Sequence, residues 1–183
     1  EQRAQAQEAI FKQSERLERM SFKLMQLSKL DSGQPLKMDV ISAAVLFAHA
    51  AQGLERQLED AGVALIMTES GESWRCEADL MTTLLVNLLS NAIKASHAGG
   101  HIWLEASPQG ICVRDEGSGI STEHLPHVTE AFYLGDKSRA RAKQGAGLGL
   151  SICSRIASLH GAQLRIHIAE NEGTRVCIEF TAP

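Results

Sequence analysis

Polar side chains interrupt an otherwise apolar stretch near the middle of the chain, where Asn87, Asn91 and Lys94 lie among leucines. The apolar positions recur at helical spacing and are Leu80, Leu84, Leu85, Leu88, Leu89 and Ala92. Residues three or four apart share one face of a helix, so the two amides and the ammonium should project together. Polar groups on a buried helix need partners, and a phosphate-bearing ligand with its metal ion would provide them. The alternative is an amphipathic helix with these residues at its solvent edge.

An acidic residue and two glycines form a second short motif. Asp115 comes directly after a predicted strand and is followed by Gly117 and Gly119. A carboxylate fixed at a strand end can accept a hydrogen bond from an exocyclic amine. The glycines let the backbone approach a flat ring closely. The motif therefore fits a nucleobase, and a turn closed by the Asp115 side chain is the alternative.

A third motif places Gly145, Gly147 and Gly149 immediately before and at the start of a predicted helix. The free N–H groups and the dipole at such a terminus favour phosphate. The spacing is not that of a dinucleotide-binding fingerprint, because Leu150 occupies the place of the last glycine and no strand directly precedes it. It is not a P-loop either, because no Gly-Lys-Ser/Thr follows. Each motif alone is weak, whereas the three in this order favour a nucleotide site.

The composition of the 183 residues is ordinary for a globular protein, and the length allows one domain with an appendage. The net charge of −4 argues against a nucleic-acid partner held by a basic surface. No apolar run is long enough to span a bilayer, and no signal peptide is visible. Scattered cysteines without Cys-x-x-Cys spacing are predicted to be buried thiols in a reducing compartment, not ligands or disulfides: Cys76, Cys112, Cys153 and Cys177.

Residues 1–30 contain neither Gly nor Pro and carry apolar residues at heptad spacing. This pattern predicts a long helix whose apolar stripe needs a partner helix, in an intermolecular bundle. Packing of the helix on its own domain is the alternative. Gly33 and Pro35 are typical of a helix end. We therefore predict a boundary between residues 1–34 and residues 35–183.

The remaining pattern predicts an α+β fold, in which helices cover one face of a mixed, mainly antiparallel sheet. Strands are predicted at residues 36–40, 63–67, 74–77, 102–106, 111–114, 163–169 and 174–181. Helices are predicted at residues 40–61 with Asp39 as N-cap, 79–98 with Asp79 as N-cap, 122–127, and from the third glycine motif to about residue 160. Residues 129–144 are predicted to be irregular.

Together, the motifs resemble those of the catalytic, ATP-binding part of a sensor histidine kinase, in the GHKL superfamily shared with DNA gyrase and MutL. The matching segments are the N box at 87–94, the G1 box at 115–120, the end of the F box at 131–133 and the G2 box at 145–152. Residues 160–161 and 173–174 match the family's closing landmarks. Residues 1–34 resemble the second helix of the dimerisation and phosphotransfer hairpin, so the resemblance covers nearly the whole chain.

The resemblance implies a two-layer, Bergerat-type ATP fold that binds ATP and Mg²⁺. Asn91 would ligate Mg²⁺, Asn87 and Lys94 would hold the phosphates, and Asp115 would receive the adenine amino group. Oxygen ligands are those that Mg²⁺ prefers. Catalysis would then consist mainly of positioning and charge stabilisation, with Asn91 and Lys94 as catalytic groups.

The resemblance also implies a mobile lid over residues 129–144. Lys137, Arg139 or Arg141 would reach the γ-phosphate from this lid, and Lys137 is counted with the catalytic groups. The other implied nucleotide contacts lie in the boxes and at the start of the last strand: Gly117, Gly119, Ile120, Tyr133, Gly145, Gly147, Leu148, Gly149 and Thr174.

Three departures from the family pattern stand out. Ala95 replaces the usual aromatic residue after the N-box lysine, and Thr129 replaces the first aromatic residue of the F box. Residues 1–48 contain no histidine, so the phosphoacceptor is expected on a preceding helix outside this chain. His124 and His127, near the lid, are predicted to be surface residues.

The resemblance implies a histidine kinase domain that passes the phosphoryl group on to the receiver domain of a response regulator. It also implies a homodimer formed through the N-terminal helix, and a cytoplasmic domain of a protein that can be anchored in the bacterial inner membrane. The alternative is a nucleotide-gated binding module with little or no kinase activity, which Ala95 and Thr129 favour. An ATP hydrolase is disfavoured, because no glutamate lies between residues 79 and 98 to act as general base.

Overall fold

The computed structural model describes residues 2–33, 35–134, 147–168 and 173–180. Within these ranges the helices are α1 Gln2–Leu30, α2 Ala43–Gln52, α3 Glu55–Ala61, α4 Ala78–Ala95 and α5 Gly149–Leu159. The strands are β1 Asp39–Ser42, β2 Ala64–Thr68, β3 Ser73–Cys76, β4 His101–Ser107, β5 Gly110–Asp115, β6 Ala162–Ile168 and β7 Thr174–Phe180.

The main sheet has five strands in the order β2-β4-β5-β7-β6. Strands β2 and β4 run parallel, and the other neighbours are antiparallel. Strands β1 and β3 form a separate antiparallel pair. The predicted α+β fold with a mixed, mainly antiparallel sheet is therefore confirmed, and so is the hairpin that joins β4 to β5.

Helix α4 is the centre of the core and contacts α2, α5 and strand β5. Its apolar face is buried, as the leucine spacing predicts, through Met81, Leu84, Leu85, Leu88, Leu89, Ala92 and Ile93. Each of the Leu, Ile and Met side chains among them contributes roughly 1.5–3 kcal/mol on burial. The polar face of the same helix, which carries Asn87 and Asn91, is thereby fixed relative to the sheet.

Helix α1 confirms the predicted N-terminal helix and packs on the rest of the chain at its C-terminal end. Leu30 is buried in the common core, and Met20 and Leu27 pack against that core. The Arg155 side chain on α5 forms an ion pair with Asp31, at 2.7 Å. The domain boundary after residue 34 stays a prediction. No helix in the described ranges is both long and apolar enough to cross a membrane.

The start of two helices differs from the sequence-based expectation. Ser42, not Asp39, caps α2, since its hydroxyl accepts a hydrogen bond from Val45 N. Asp39 instead lies in β1, opposite Cys76 of β3. Glu77, not Asp79, caps α4, and its Oε2 lies 2.6 Å from Leu80 N. In both cases the cap is the polar residue directly before the first helical residue, so an error in the predicted start of the helix gives the wrong cap.

Two predicted helices also differ in extent. The single helix expected over residues 40–61 is divided into α2 and α3, with Gly53 as the C-cap of α2. The short helix expected at residues 122–127 is wrong, because these residues form consecutive turns. Their backbone hydrogen bonds span three residues, as in the bond from His124 N to Ser121 O at 2.9 Å.

The prediction of four separate thiols is wrong for one pair, because Cys112 and Cys177 form a disulfide. These residues face each other across β5 and β7, with 4.1 Å between their Cα atoms. The register that brings them together is not visible in the sequence, where 65 positions separate them. The disulfide also removes the basis for inferring a reducing compartment. Cys76 and Cys153 are free and buried, as predicted.

Reduction of this disulfide should lower the free energy of unfolding by about 2–4 kcal/mol, because the bond closes a long loop in the unfolded chain. The bond lines an open hollow with His167 and Arg175, where a reductant can reach it. Urea unfolding with and without dithiothreitol measures the effect. A Cys112→Ser/Cys177→Ser double variant should not respond to the reductant. An unchanged midpoint in the unmodified chain would contradict the stabilising role.

Candidate nucleotide site

Asp115 is the most buried acidic side chain near the predicted adenine end, with 5% of its surface exposed. It is the last residue of β5, and its Oδ1 accepts hydrogen bonds from Gly117 N at 2.8 Å and from Thr174 N at 3.4 Å. Both bonds end on Oδ1, so Oδ2 has no partner among the described residues. The carboxylate is therefore held in one orientation with an acceptor left for a ligand.

Burial raises the pKa of Asp115 above its ordinary value, and the hydrogen bonds from Gly117 and Thr174 offset part of this rise. A raised pKa means that the folded state holds the proton more firmly than the unfolded chain does. A ligand that donates hydrogen bonds to the carboxylate would satisfy the buried charge. An exocyclic amino group is such a donor.

The glycines of this motif allow close approaches between backbone segments. A Cβ on Gly117 would lie 2.5 Å from the carbonyl oxygen of Ala95, the last residue of α4, so no side chain fits there. Ser118 N also donates to this oxygen, at 3.3 Å. Gly173, with φ of 79°, lies so close to Asp115 that a side chain would collide with its carbonyl group. The loop after β5 is thus packed directly on the end of α4.

The two asparagines of α4 and the first residue of α5 form the second wall. A Cβ on Gly149 would lie 3.4 Å from Asn91 Nδ2 and 3.5 Å from Asn87 Oδ1. The glycine therefore leaves the two amides uncovered beside the N-terminus of α5. Both amides lie beside this one point, so the prediction that the side chains project together is confirmed for Asn87 and Asn91. Asn91 is exposed and Asn87 is partly buried.

Hydrogen bonding fixes the orientation of the Asn87 amide. Its Nδ2 donates to Thr83 O in the preceding turn of α4, at 2.9 Å. Its Oδ1 accepts from Lys23 Nζ of α1, at 3.0 Å. Nδ2 carries a second hydrogen, so the Asn87 amide can still donate to a phosphate. This geometry is compatible with the direct phosphate contact that the family resemblance implies.

Three basic side chains lie near one another at this wall: Lys94, Lys23 and Arg19. Burial lowers the pKa of Lys94, and the nearby charges of Lys23 and Arg19 lower it further. Burial also lowers the pKa of Lys23. Cations that lower the pKa of a neighbouring lysine favour a polyanionic ligand, which would relieve the repulsion.

The base of the predicted lid is closed by backbone contacts. Phe132 N donates to Gly147 O at 2.9 Å, and Phe132 has a φ of 67°, which is uncommon for a residue with a side chain. Gly147 also has a positive φ, and a Cβ there would lie 2.7 Å from Tyr133 O. The F-box and G2 segments are therefore joined where the lid begins and ends.

Tyr133 is held by two histidines. Its hydroxyl lies 2.9 Å from His124 Nδ1, and its ring centre lies 5.4 Å from that of His127. The prediction that both histidines are surface residues is wrong for His124, which is partly buried, whereas His127 is exposed.

The remaining predicted contacts have different positions. Leu148 is fully buried in the core, so its side chain cannot touch a ligand. Gly119, with φ of 65°, and Ile120 lie in the loop after Asp115 and are partly buried. Lys137 and Gly145 lie outside the described residues.

The site contains one residue that sequence reasoning missed. Lys23 lies on α1, 64 positions before Asn87, and reaches it because α1 packs beside α5. No local pattern in residues 1–30 signals this contact. No group of three or more His, Cys, Asp or Glu side chains in the described part of the chain is arranged to hold a metal ion.

The sequence matches a known protein family and a known sensor protein. A family model described as Histidine kinase-, DNA gyrase B-, and HSP90-like ATPase matches residues 76–183. Sensor protein SrrB of Staphylococcus aureus (strain NCTC 8325 / PS 47) is 29% identical over 180 residues, which cover 95% of this chain and 31% of SrrB. The chain therefore spans less than a third of the length of this relative.

Solved structures share the fold. The cytoplasmic segment of histidine kinase QseC superimposes with a TM-score of 0.63 at 23% identity, over 92% of this chain and 95% of that one. Full-length ShkA in complex with AMPPNP superimposes with a TM-score of 0.74 at 19% identity, over 91% of this chain and 37% of that one.

The Asp115→Asn variant should be more stable than the unmodified chain at pH 7 when no ligand is bound. The raised pKa means that the stability contributed by Asp115 is present below about pH 3.9, its unfolded value, and is lost as pH rises through the folded value. Asparagine keeps the acceptor oxygen and cannot ionise. Urea unfolding between pH 4 and pH 7 measures the difference, which should grow with pH.

Asp60→Asn is the matched control, since Asp60 is exposed on α3 and the substitution removes the same charge. A stability difference for Asp115→Asn that does not change with pH, or that favours the unmodified chain more strongly at pH 7, would contradict the assignment of a buried, costly carboxylate.

Proposed function

Because the chain belongs to the family of histidine kinase-, DNA gyrase B- and HSP90-like ATPases, as the catalytic, ATP-binding part of a sensor histidine kinase, we propose that it transfers the γ-phosphoryl group of Mg·ATP to a histidine. The acceptor histidine lies outside this chain, and the phosphoryl group passes from it to an aspartate of a response-regulator receiver domain. The observation that supports this best is that the loop after the buried Asp115 carboxylate packs on the end of α4, the helix that carries Asn87, Asn91 and Lys94.

The adenine end of the proposed site is the Asp115 carboxylate. Its Oδ1 is occupied by backbone donors, and Oδ2 is directed to the ligand's amino group. Gly117 and Gly119 keep the adjoining backbone free of side chains beside the base. Ala95 stands where the family usually has an aromatic residue, and its backbone carbonyl accepts a hydrogen bond from Ser118 N. The adenine ring therefore lacks one stacking partner, and its recognition depends on Asp115.

The phosphate end of the proposed site is formed by α4 and the N-terminus of α5. Asn91 would hold Mg²⁺ through Oδ1, because its amide is exposed and Gly149 leaves space beside it. Asn87 Oδ1 accepts from the Lys23 ammonium, and the second hydrogen of Asn87 Nδ2 would donate to the phosphates. The Lys94 ammonium would neutralise the phosphates. The bound Mg²⁺ would supply charge stabilisation at the phosphate oxygens.

The residues that surround the phosphates favour transfer over hydrolysis. Asp79 is the sole carboxylate of α4, and it lies in the first turn, two turns before Asn87. No side chain of this helix is therefore placed to activate water beside Asn91. The chain's part in transfer is to orient the phosphates and to exclude water, while Lys137, Arg139 or Arg141 of the lid is proposed to reach the γ-phosphate.

The exposed apolar side of α1 supports self-association. Six large apolar side chains of this helix are between 42% and 67% exposed: Ile10, Phe11, Leu17, Phe22, Leu24 and Met25. A helix with such a stripe buries it against another helix. We propose that the full-length protein is a homodimer joined through α1 and that this part of it lies in the cytoplasm.

The cytoplasmic location has a consequence for the Cys112–Cys177 disulfide. Cytosolic thiols are kept reduced, so in the cytoplasm these two cysteines would be present as thiols.

Incubation with γ-labelled Mg·ATP should leave no label on this chain and should label a supplied hairpin helix that carries the acceptor histidine. Electrophoresis under alkaline conditions, which preserve phosphohistidine, measures both. The Asp115→Asn variant is the control and should label neither. Label on the unmodified chain itself would contradict an acceptor outside it.

The alternative function is a nucleotide-gated binding module, in which α1 is the output element. Ala95 supports it, because the loss of a stacking aromatic lowers the expected affinity for adenine. Binding of Mg·ATP without transfer to the supplied acceptor would favour this alternative over the kinase.

A further inference from the structure

Lys23 connects the N-terminal helix to the proposed phosphate wall. Its Nζ donates to Asn87 Oδ1 at 3.0 Å, across 64 positions of sequence. This contact lies between two apolar anchors of α1, Met20 and Leu27, which pack against the common core. The backbone position of Lys23 is therefore set by the docking of the C-terminal part of α1.

The Lys23 ammonium has capacity for further partners. An ammonium carries three donors, and Asn87 Oδ1 is the one acceptor that it contacts among the described residues. The group is partly buried, and burial lowers its pKa. A partly buried cation with one neutral acceptor is poorly compensated, and an anionic ligand would supply the missing charge.

Two further basic side chains, Arg19 and Lys94, lie near Lys23. Its charge and that of Arg19 both lower the pKa of Lys94 on α4. Basic side chains from two helices, α1 and α4, therefore lie close together beside the proposed phosphate wall. A polyanion bound at this place would be attracted by cations from both helices.

We propose that Lys23 is a phosphate-binding residue, supplied to the nucleotide site by the helix that precedes the ATP-binding domain. This inference rests on the proposed function, since it names a further ligand of the same nucleotide. It has a consequence for coupling. If docked α1 improves nucleotide affinity, bound nucleotide stabilises docked α1 by the same factor.

Substitution of Lys23 by Met removes the charge and keeps the apolar stem. Calorimetry of this variant should show about a ten-fold loss of affinity for Mg·ATP, as expected for one charge-assisted contact. Affinity for adenosine, which carries no phosphate, should change less than two-fold. Lys29→Met is the matched control, since Lys29 is exposed in the last turn of the same helix, and it should change neither affinity.

Hydrogen exchange of α1 gives a readout of coupling. Saturating Mg·ATP should slow amide exchange over residues 20–30 in the unmodified chain and in Lys29→Met, and should slow it less in Lys23→Met. Circular dichroism of each variant checks that α1 and the domain remain folded.

Three results would overturn the inference. Unchanged or tighter Mg·ATP binding by Lys23→Met would show that the ammonium is not a phosphate ligand. Equal losses for Mg·ATP and adenosine would assign Lys23 a purely structural role. If the unmodified chain binds no Mg·ATP, the proposed function fails together with this inference; binding that is lost in Asp115→Asn but unaffected by Lys23→Met leaves the proposed function intact.

Discussion

The close approach of Gly117 to the backbone of Ala95 is the constraint on which the geometry of the site depends. It places the loop that follows Asp115 directly on the end of α4, where a side chain would collide with the helix. Asn91 lies one turn earlier on the same helix, about 6 Å along its axis. The buried carboxylate and the amide wall are therefore held at a fixed separation. Because the apolar face of α4 is buried in the core, neither half of the site can shift without disturbing the packing of the domain.

Much of this arrangement follows from local sequence patterns. The leucine spacing of α4 gives both its burial and the common direction of Asn87 and Asn91, because helical periodicity fixes which residues share a face. The alternating strands and the short connection at residues 107–110 give the β4–β5 hairpin. Asp115 lies at a strand end with glycines behind it, as its sequence context indicates. The helix caps were less predictable, because each helix has a second polar residue near its start: Asp39 as well as Ser42, and Asp79 as well as Glu77.

Contacts that depend on register or on helix docking could not be predicted. Cys112 and Cys177 meet because β5 and β7 are neighbours in one particular register. Lys23 reaches Asn87 because α1 packs beside α5, and no motif in α1 marks this lysine among the others. Both contacts join segments more than 60 positions apart, where local propensity carries no information. The Lys23 contact also connects the site to a part of the chain outside the four boxes.

The central claim is that Asp115 and Asn91 are the two ends of one Mg·ATP site. Calorimetry of Mg·ATP and of adenosine with the unmodified chain, Asp115→Asn and Asn91→Ala tests it most directly. The account predicts that both variants bind Mg·ATP about ten-fold or more weakly, as expected for the loss of a contact to a charged group. Adenosine affinity should fall in Asp115→Asn and remain unchanged in Asn91→Ala. Unchanged Mg·ATP affinity in both variants would contradict the account.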